Sequence, residues 1–361
     1  MTDGRIMARI IKDLRRGYNG SVKSTLHSTL ASWADQQRQR LGLAPATITR
    51  ALTAEASHRQ FYRQHAADGS SLIVMDSPPA LERNEAFVDL AGLFQNARLP
   101  VPHILAQDLD AGYLLLSDVG ARDLYNAYEQ GEQAPALRAA IDWLPRLQAV
   151  RSPLIPLYSP GRLQDELDIF CQWFAQGALA LPNPRVQLAD CFNALVAQAD
   201  AQRKVCVHRD YHCRNLLLAD NGQFGIVDFQ DALHGPLTYD LASLLHDCYY
   251  ALDDATVDYW REHFRLQVAP HVSPAAFAQD CHWMALQRQL KAIGIFVRLA
   301  QRDNKGSHLQ HVTPTLASAT AIAKRYDALR PLSQWLQQHS ASWPAAKQRL
   351  QDALANPRAQ R

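Results

Sequence analysis

Asp210, Asn215 and Asp228 are the residues whose types and spacing could do chemistry. Asp210 and Asn215 lie five apart in VHRDYHCRN (207–215), and Asp228 follows thirteen residues after Asn215. KVCV before the stretch and LLLA after it are short β-type runs, so the polar island is a loop held between strands. A turn at Asp220-Asn221-Gly222 makes a hairpin that folds Asp228 back beside that loop. One neutral and one or two anionic oxygen ligands, with positions left for phosphates, are what Mg²⁺ sites with bound nucleotide require. Phosphoryl transfer also needs a carboxylate to orient the attacking hydroxyl and accept its proton. On this reading Asp210 is the base, and Asn215 and Asp228 hold metal.

The rest of the chain must position these groups. At 361 residues it is long enough for two packed lobes. Hydrophobic residues at 47% and charged residues at 20% describe a soluble globular chain. The net charge of +2 points to neither nucleic acid nor membrane. Six cysteines without a C-x-x-C pair fit reduced thiols. No run approaches a membrane span, and the N-terminus lacks the apolar core of a secretory signal. The expected location is therefore cytoplasmic, and the expected state a monomer.

Residues 1–25 read as a basic, loose extension; GYNGSVKS (17–24) lacks the spacing of a phosphate loop. Residues 26–119 read as a helix (25–43) and then strand, strand, strand, helix, strand, strand. The β-meander (47–76) has its hairpin at Asp68-Gly69, and the helix lies in ALERNEAFVDLAGLFQNA. Residues 120–361 read as helical patterns at 122–150, 162–181, 186–202, 238–251, 254–266, 273–302 and 315–338, ending in a polar tail. Their only expected strands are KVCV, LLLA and FGIV. The fold class is α+β, two-lobed, with a small β-rich lobe and a larger helical one.

HRDYHCRN resembles the kinase catalytic loop H-R-D-x-x-x-x-N, and Asp228-Phe229-Gln230 stands where D-F-G would. The resemblance implies the roles given above for Asp210, Asn215 and Asp228. His212 makes the loop more similar to the aminoglycoside-phosphotransferase branch of small-molecule kinases, which carry H-x-D-x-H-x-x-N. Within that branch, ASHRQFYR (56–63), VDFQDALHGPLTYDLASLLHDCY (227–249) and LQRQLKAIGIFVRLA (286–300) resemble the anomeric kinases of N-acetylmuramate and N-acetylglucosamine. The resemblance covers roughly 26–340. It implies a protein-kinase-like fold, ATP and Mg²⁺ as cofactors, and a small amino sugar as partner, phosphorylated at C1 in peptidoglycan recycling. His208 and Arg209 would brace the loop and Asp228. Asp240 would cap a helix or accept hydrogen bonds from the loop backbone.

The first lobe departs from the kinase pattern. Its phosphate-covering turn would be AEASHR (54–59), including Ser57, and SLIVMDSPP has Met75 or Asp76 where kinases carry a lysine. Arg59 or Arg63 is expected to replace that cation, with a lean to Arg63, and Glu82 or Glu85 to orient it. The backbone of Ser117, Asp118 and Val119 would meet the adenine. Asp240 follows Gln230 by only ten positions, too few for a protein-substrate platform. Asp231 and His234 are the expected sugar contacts. Arg122, Arg162, Arg214 and Arg298 are candidates for the lactyl carboxylate of muramate. Asp165, Glu166 and Asp168 read as a solvated helix face, and Trp173 and Phe174 as core or stacking surface. The alternatives are a kinase of another small alcohol (aminoglycoside, choline, homoserine) or a nucleotide-binding pseudokinase.

Overall fold

The computed structural model describes residues 26–52, 58–219 and 222–356. The 1–25 extension, the greater part of the AEASHR turn with Ser57, and the turn residues Asp220 and Asn221 lie outside the described residues. The chain divides into two compact units: one runs to Val88 and includes Pro102–Asp118, the other holds Asp89–Val101 and Val119 onward.

The first unit opens with α1 (Ser28–Arg40), followed by β1 (Ala46–Leu52), β2 (Gln60–Ala66) and β3 (Ser71–Asp76). Helix α2 (Asn84–Asn96), which passes into the second unit at Asp89, precedes β4 (Ile104–Asp108) and β5 (Tyr113–Ser117). The strands form an antiparallel sheet in the order β1-β2-β3-β5-β4. Strand β2 shows the period of two that a one-faced sheet demands: Tyr62, Gln64 and Ala66 are buried, while Phe61, Arg63 and His65 are half-buried. Tyr62, Leu72, Val74 and Leu115 make a core with Leu30 and Ala34 of α1. The β2–β3 turn needs a left-handed residue, which Gly69 supplies at φ +83°.

From Val119 onward the second unit holds β6 (Arg122–Asp123), α3 (Leu124–Glu129), α4 (Gln133–Ala149) and α5 (Pro160–Ile169). Helix α5 widens into a π-helical segment, Phe170–Ala178. Next are α6 (Pro184–Gln187), α7 (Ala189–Ala201), β7 (Lys204–Val207), β8 (Leu216–Leu218), β9 (Phe224–Ile226) and β10 (Leu233–Pro236). The unit closes with α8 (Tyr239–Leu245), α9 (Asp254–Val268), α10 (Pro274–Asp303), α11 (Leu309–Lys324), α12 (Arg330–Ser340) and α13 (Trp343–Ala355).

Two features differ from the sequence reading. The strands flanking the polar loop belong to different sheets: β7 pairs with β10, whereas β8 lies between β6 and β9. LHGP and Arg122-Asp123 were unreadable as strands because each is too short to show alternation. The polar tail is instead helix α13, anchored by Trp343, whose buried ring lies 5.5 Å from that of Phe174. Phe174 is thus core.

Helix α10 is the unit's central support. Ser273 caps it by accepting from Ala276 N at 3.2 Å, Pro274 occupies its first turn, and Asn304 ends it at φ +56°. A Cβ at Gly294 would stand 2.6 Å from the Ile169 carbonyl oxygen. Glycine there lets α10 pack directly on the end of α5, which brings Lys291 and Glu166 together. Among the described residues, no helix is long and apolar enough to cross a membrane.

Candidate active site

The loop from His208 to Asn215 leaves β7 and enters β8, and its shape is fixed from beneath by Asp240. That carboxylate accepts from His208 N at 2.7 Å and from Arg209 N at 3.0 Å. Asp240 is the second residue of α8 and makes no helix cap, since its oxygens are turned to the loop. Burial pushes its carboxyl up to about 7, with Asp210 adding to the rise, while the two amides and Arg288 pull it back. His208 is buried, and burial lowers its imidazole to about 4, so it is neutral. Its Nε2 meets the Val227 carbonyl at 2.9 Å and therefore carries the proton. This ties the loop to the residue before Asp228.

Asn215 Nδ2 donates to the Asp210 carbonyl at 3.0 Å and to Asp228 Oδ2 at 3.3 Å. The β8–β9 register, Leu216 opposite Ile226, returns the chain so that these residues meet. Asp228 and Arg209 both have positive φ, +64° and +78°. For residues other than glycine such conformations cost about 1–3 kcal/mol and are held only by surrounding contacts. The Asp228 carboxylate is exposed, and Oδ1 accepts from Gln230 Nε2 at 2.6 Å. Its oxygens and the Asn215 amide oxygen form a hard donor pair suited to Mg²⁺. No cluster of three His, Cys, Asp or Glu able to hold a metal occurs among the described residues. A pair of hard oxygen donors leaves the remaining positions of such an ion to phosphate and water.

Asp210 is held ionised. Burial alone would raise its pKa, but the positive fields of Lys291, His212, Arg288 and Arg209 hold the carboxyl well below the ordinary range. A weakly basic carboxylate suits an acceptor hydroxyl that loses its proton late, as a loose phosphoryl-transfer transition state allows.

Glu166 corrects the expectation of a solvated helix face. Asp165 is exposed and Asp168 pairs with Arg185, but Glu166 is only 5% exposed. It accepts from Arg209 Nη2 at 2.6 Å and faces Lys291 Nζ at 3.1 Å and Gln287 Nε2 at 3.3 Å, with Tyr158 Oη also donating. Burial opposes its charge, but Lys291 and Arg209 hold it below the usual carboxylate range. Arg209 accordingly braces the loop through Glu166 and the Asp231 carbonyl, at 3.4 Å, rather than through Asp228. Glu166 was read with its exposed neighbours, and Arg288 and Lys291 were not singled out in the sequence. The i, i+3 spacing of Arg288 and Lys291 in an apolar helix was the available signal. Asp247 was also missed; it accepts from Cys213 N and Tyr249 N at 2.8 Å each.

Among the expected sugar contacts, the Asp231 side chain is exposed and 4.0 Å from Arg209 Nη1. His234 lies in β10, with its N–H on the Pro156 carbonyl and its own carbonyl accepting from Tyr158 N, both at 2.8 Å. Arg214 pairs with Asp123 at 3.0 Å and lies over the Tyr125 ring at 3.9 Å. Arg122 is bidentate on Glu132, at 2.9 Å for each bond.

In the first unit the two candidate arginines separate. Arg63 makes a bidentate pair with Asp118, at 2.6 and 3.1 Å, and Ser71 Oγ donates to the same carboxylate at 2.8 Å. Arg59 is buried, donates from Nε to Ser77 Oγ at 3.2 Å, lies 5.3 Å from the Phe87 ring centre, and faces Glu82 at 3.4 Å. Glu82, which precedes α2, thus faces Arg59 just ahead of β2, whereas Arg63, within β2, faces Asp118. Ser117 N and Oγ are both joined to the His103 backbone at 2.8 Å, and Val119 lies in the second unit.

A β-sheet unit followed by a mainly helical unit with this loop and hairpin is the architecture of protein-kinase-like phosphotransferases. Residues 48–280 match the phosphotransferase enzyme family, and the chain belongs to that family. It is 35% identical over 326 residues to the N-acetylmuramate/N-acetylglucosamine kinase of Pseudomonas putida, covering 84% of this chain and 94% of the relative. It is 36% identical to the protein of the same name from Pseudomonas aeruginosa, covering 76% and 83%. Among solved structures it is similar to ADP-bound aminoglycoside phosphotransferase APH(2'')-Ib, with a TM-score of 0.57 at 15% identity, covering 82% of this chain and 99% of that one. The chain is a nucleotide-using kinase of the small-molecule branch.

Proposed function

We propose that this protein transfers the γ-phosphoryl group of ATP to the anomeric C1 hydroxyl of N-acetylmuramate and N-acetylglucosamine, in the recycling of peptidoglycan sugars. The observation that carries the reading is the identity of 35% over nearly the whole length of a relative so named. The loop supplies residues suited to this chemistry. Asp210 orients the hydroxyl and receives its proton as the new O–P bond forms and the bond to ADP breaks. Asn215 and Asp228 would hold Mg²⁺, which neutralises phosphate charge when bound. Asp231, His234 and Arg214 remain candidates for sugar contacts, and Ser57 and the Ser117–Val119 backbone for nucleotide contacts.

ATP consumption across a panel of amino sugars and amino alcohols, with identification of the product, tests the reading. Both sugars should yield a 1-phosphate that has lost its reducing end. A product that keeps its reducing end, or turnover only with choline or an aminoglycoside, would refute it. No turnover with any acceptor would favour the pseudokinase alternative.

The cation of the missing lysine is assigned here to Arg59. Arg59→Ala should raise the KM for ATP by about 10- to 100-fold, the loss of one charge-assisted contact, and leave the sugar KM nearly unchanged. Arg63→Ala should affect stability more than ATP affinity, because its partner is Asp118. Wild-type ATP kinetics in Arg59→Ala alone would return the role to Arg63, and in both variants would transfer it to a residue of the helical unit.

A further inference from the structure

Arg288 is the basic residue beside Asp210 whose hydrogen bonds are least accounted for. It is 6% exposed, and its Nε has no partner among the described residues. Its guanidinium makes one weak contact, Nη1 to Cys248 Sγ at 3.9 Å. The other cations near the loop are committed to carboxylates: Arg209 and Lys291 to Glu166, and Arg214 to Asp123. Arg122, another candidate for an acidic substrate, is held by Glu132. Arg288 stands one turn of α10 before Lys291, whose Nζ meets Glu166, the carboxylate that holds Arg209 next to Asp210 in the loop. A buried guanidinium without an oxygen acceptor is costly to maintain, because it has lost its hydration without full replacement. Guanidinium is also the side chain whose planar fork matches a carboxylate. Its position on α10, three residues before the anchored Lys291, fixes it rigidly.

We infer that Arg288 receives the carboxylate of an acidic sugar acceptor while Asp210 engages that sugar's hydroxyl, and so distinguishes acidic from neutral amino sugars. This rests on the amino-sugar kinase reading. N-acetylmuramate carries such a carboxylate on its lactyl group, and N-acetylglucosamine does not.

Steady-state kinetics of full-length Arg288→Gln with the two sugars, at saturating ATP and Mg²⁺, test the inference. The KM for N-acetylmuramate should rise by about 10- to 100-fold, as expected for loss of a charge-assisted pair, and that for N-acetylglucosamine far less. The kcat should fall equally for both, since Asp210 loses the same neighbouring charge. Arg288→Lys, which keeps the charge but not the fork, should show the same selective rise in smaller measure. An unchanged ratio of the two KM values in either variant that folds, or a purely kcat loss, would overturn the assignment and leave Arg288 a structural or transition-state cation. If the wild type phosphorylates neither sugar, the function itself fails, and the inference with it.

Discussion

Asp210→Asn is expected to lower kcat by about 10²- to 10⁴-fold, the usual contribution of a positioned proton acceptor, while nucleotide still binds. Asparagine preserves the shape, so the loop's fold should survive: His208 N and Arg209 N bond to Asp240, and the Asp210 carbonyl, not its side chain, receives Asn215 Nδ2. What disappears is a charge that Lys291, His212, Arg288 and Arg209 hold ionised against burial. Single-turnover measurements of sugar phosphate formation, beside calorimetric titration of nucleotide, separate chemistry from binding. Near-normal turnover would remove Asp210 from the mechanism.

Asp228→Ala should abolish the dependence of nucleotide affinity on Mg²⁺. Nucleotide titrations with and without Mg²⁺ read this without requiring activity. The exposed carboxylate is the anionic donor of the proposed pair, and a triphosphate without its cation is repelled. Asn215→Ala should weaken binding less, because a neutral amide contributes less charge. It also loses the bonds to the Asp210 carbonyl and to Asp228, so its kcat should fall as well. Equal and mild effects from the two variants would place the metal elsewhere.

The geometry of the 208–215 loop was legible because residue type and local spacing specify it together. Asp210 and Asn215 share one loop, and Asp228 returns by a hairpin whose register is set by two short apolar strands. The β-meander and the long helix α10 were legible for the same local reason, since each buries one face at a fixed period. Strand β10 and helix α13 were not. LHGP lacks alternation, and the burial of Trp343 depends on contact with Phe174, distant in sequence.

By itself, the sequence determined an α+β kinase-like chain and the loop and hairpin that carry the proposed base and the proposed hard-oxygen pair, because those features are written in neighbouring residues. Tertiary structure alone decided which charges serve the site. Asp165 and Glu166 are adjacent, yet one is exposed and the other is buried among Arg209, Lys291 and Tyr158. Arg59 and Arg63 lie one helical turn apart in numbering, yet Glu82 orients the first and Asp118 locks the second. The physical reason is common to both cases. The energy of an ionised side chain is set by desolvation and by the charge beside it, and both are supplied by elements remote in sequence.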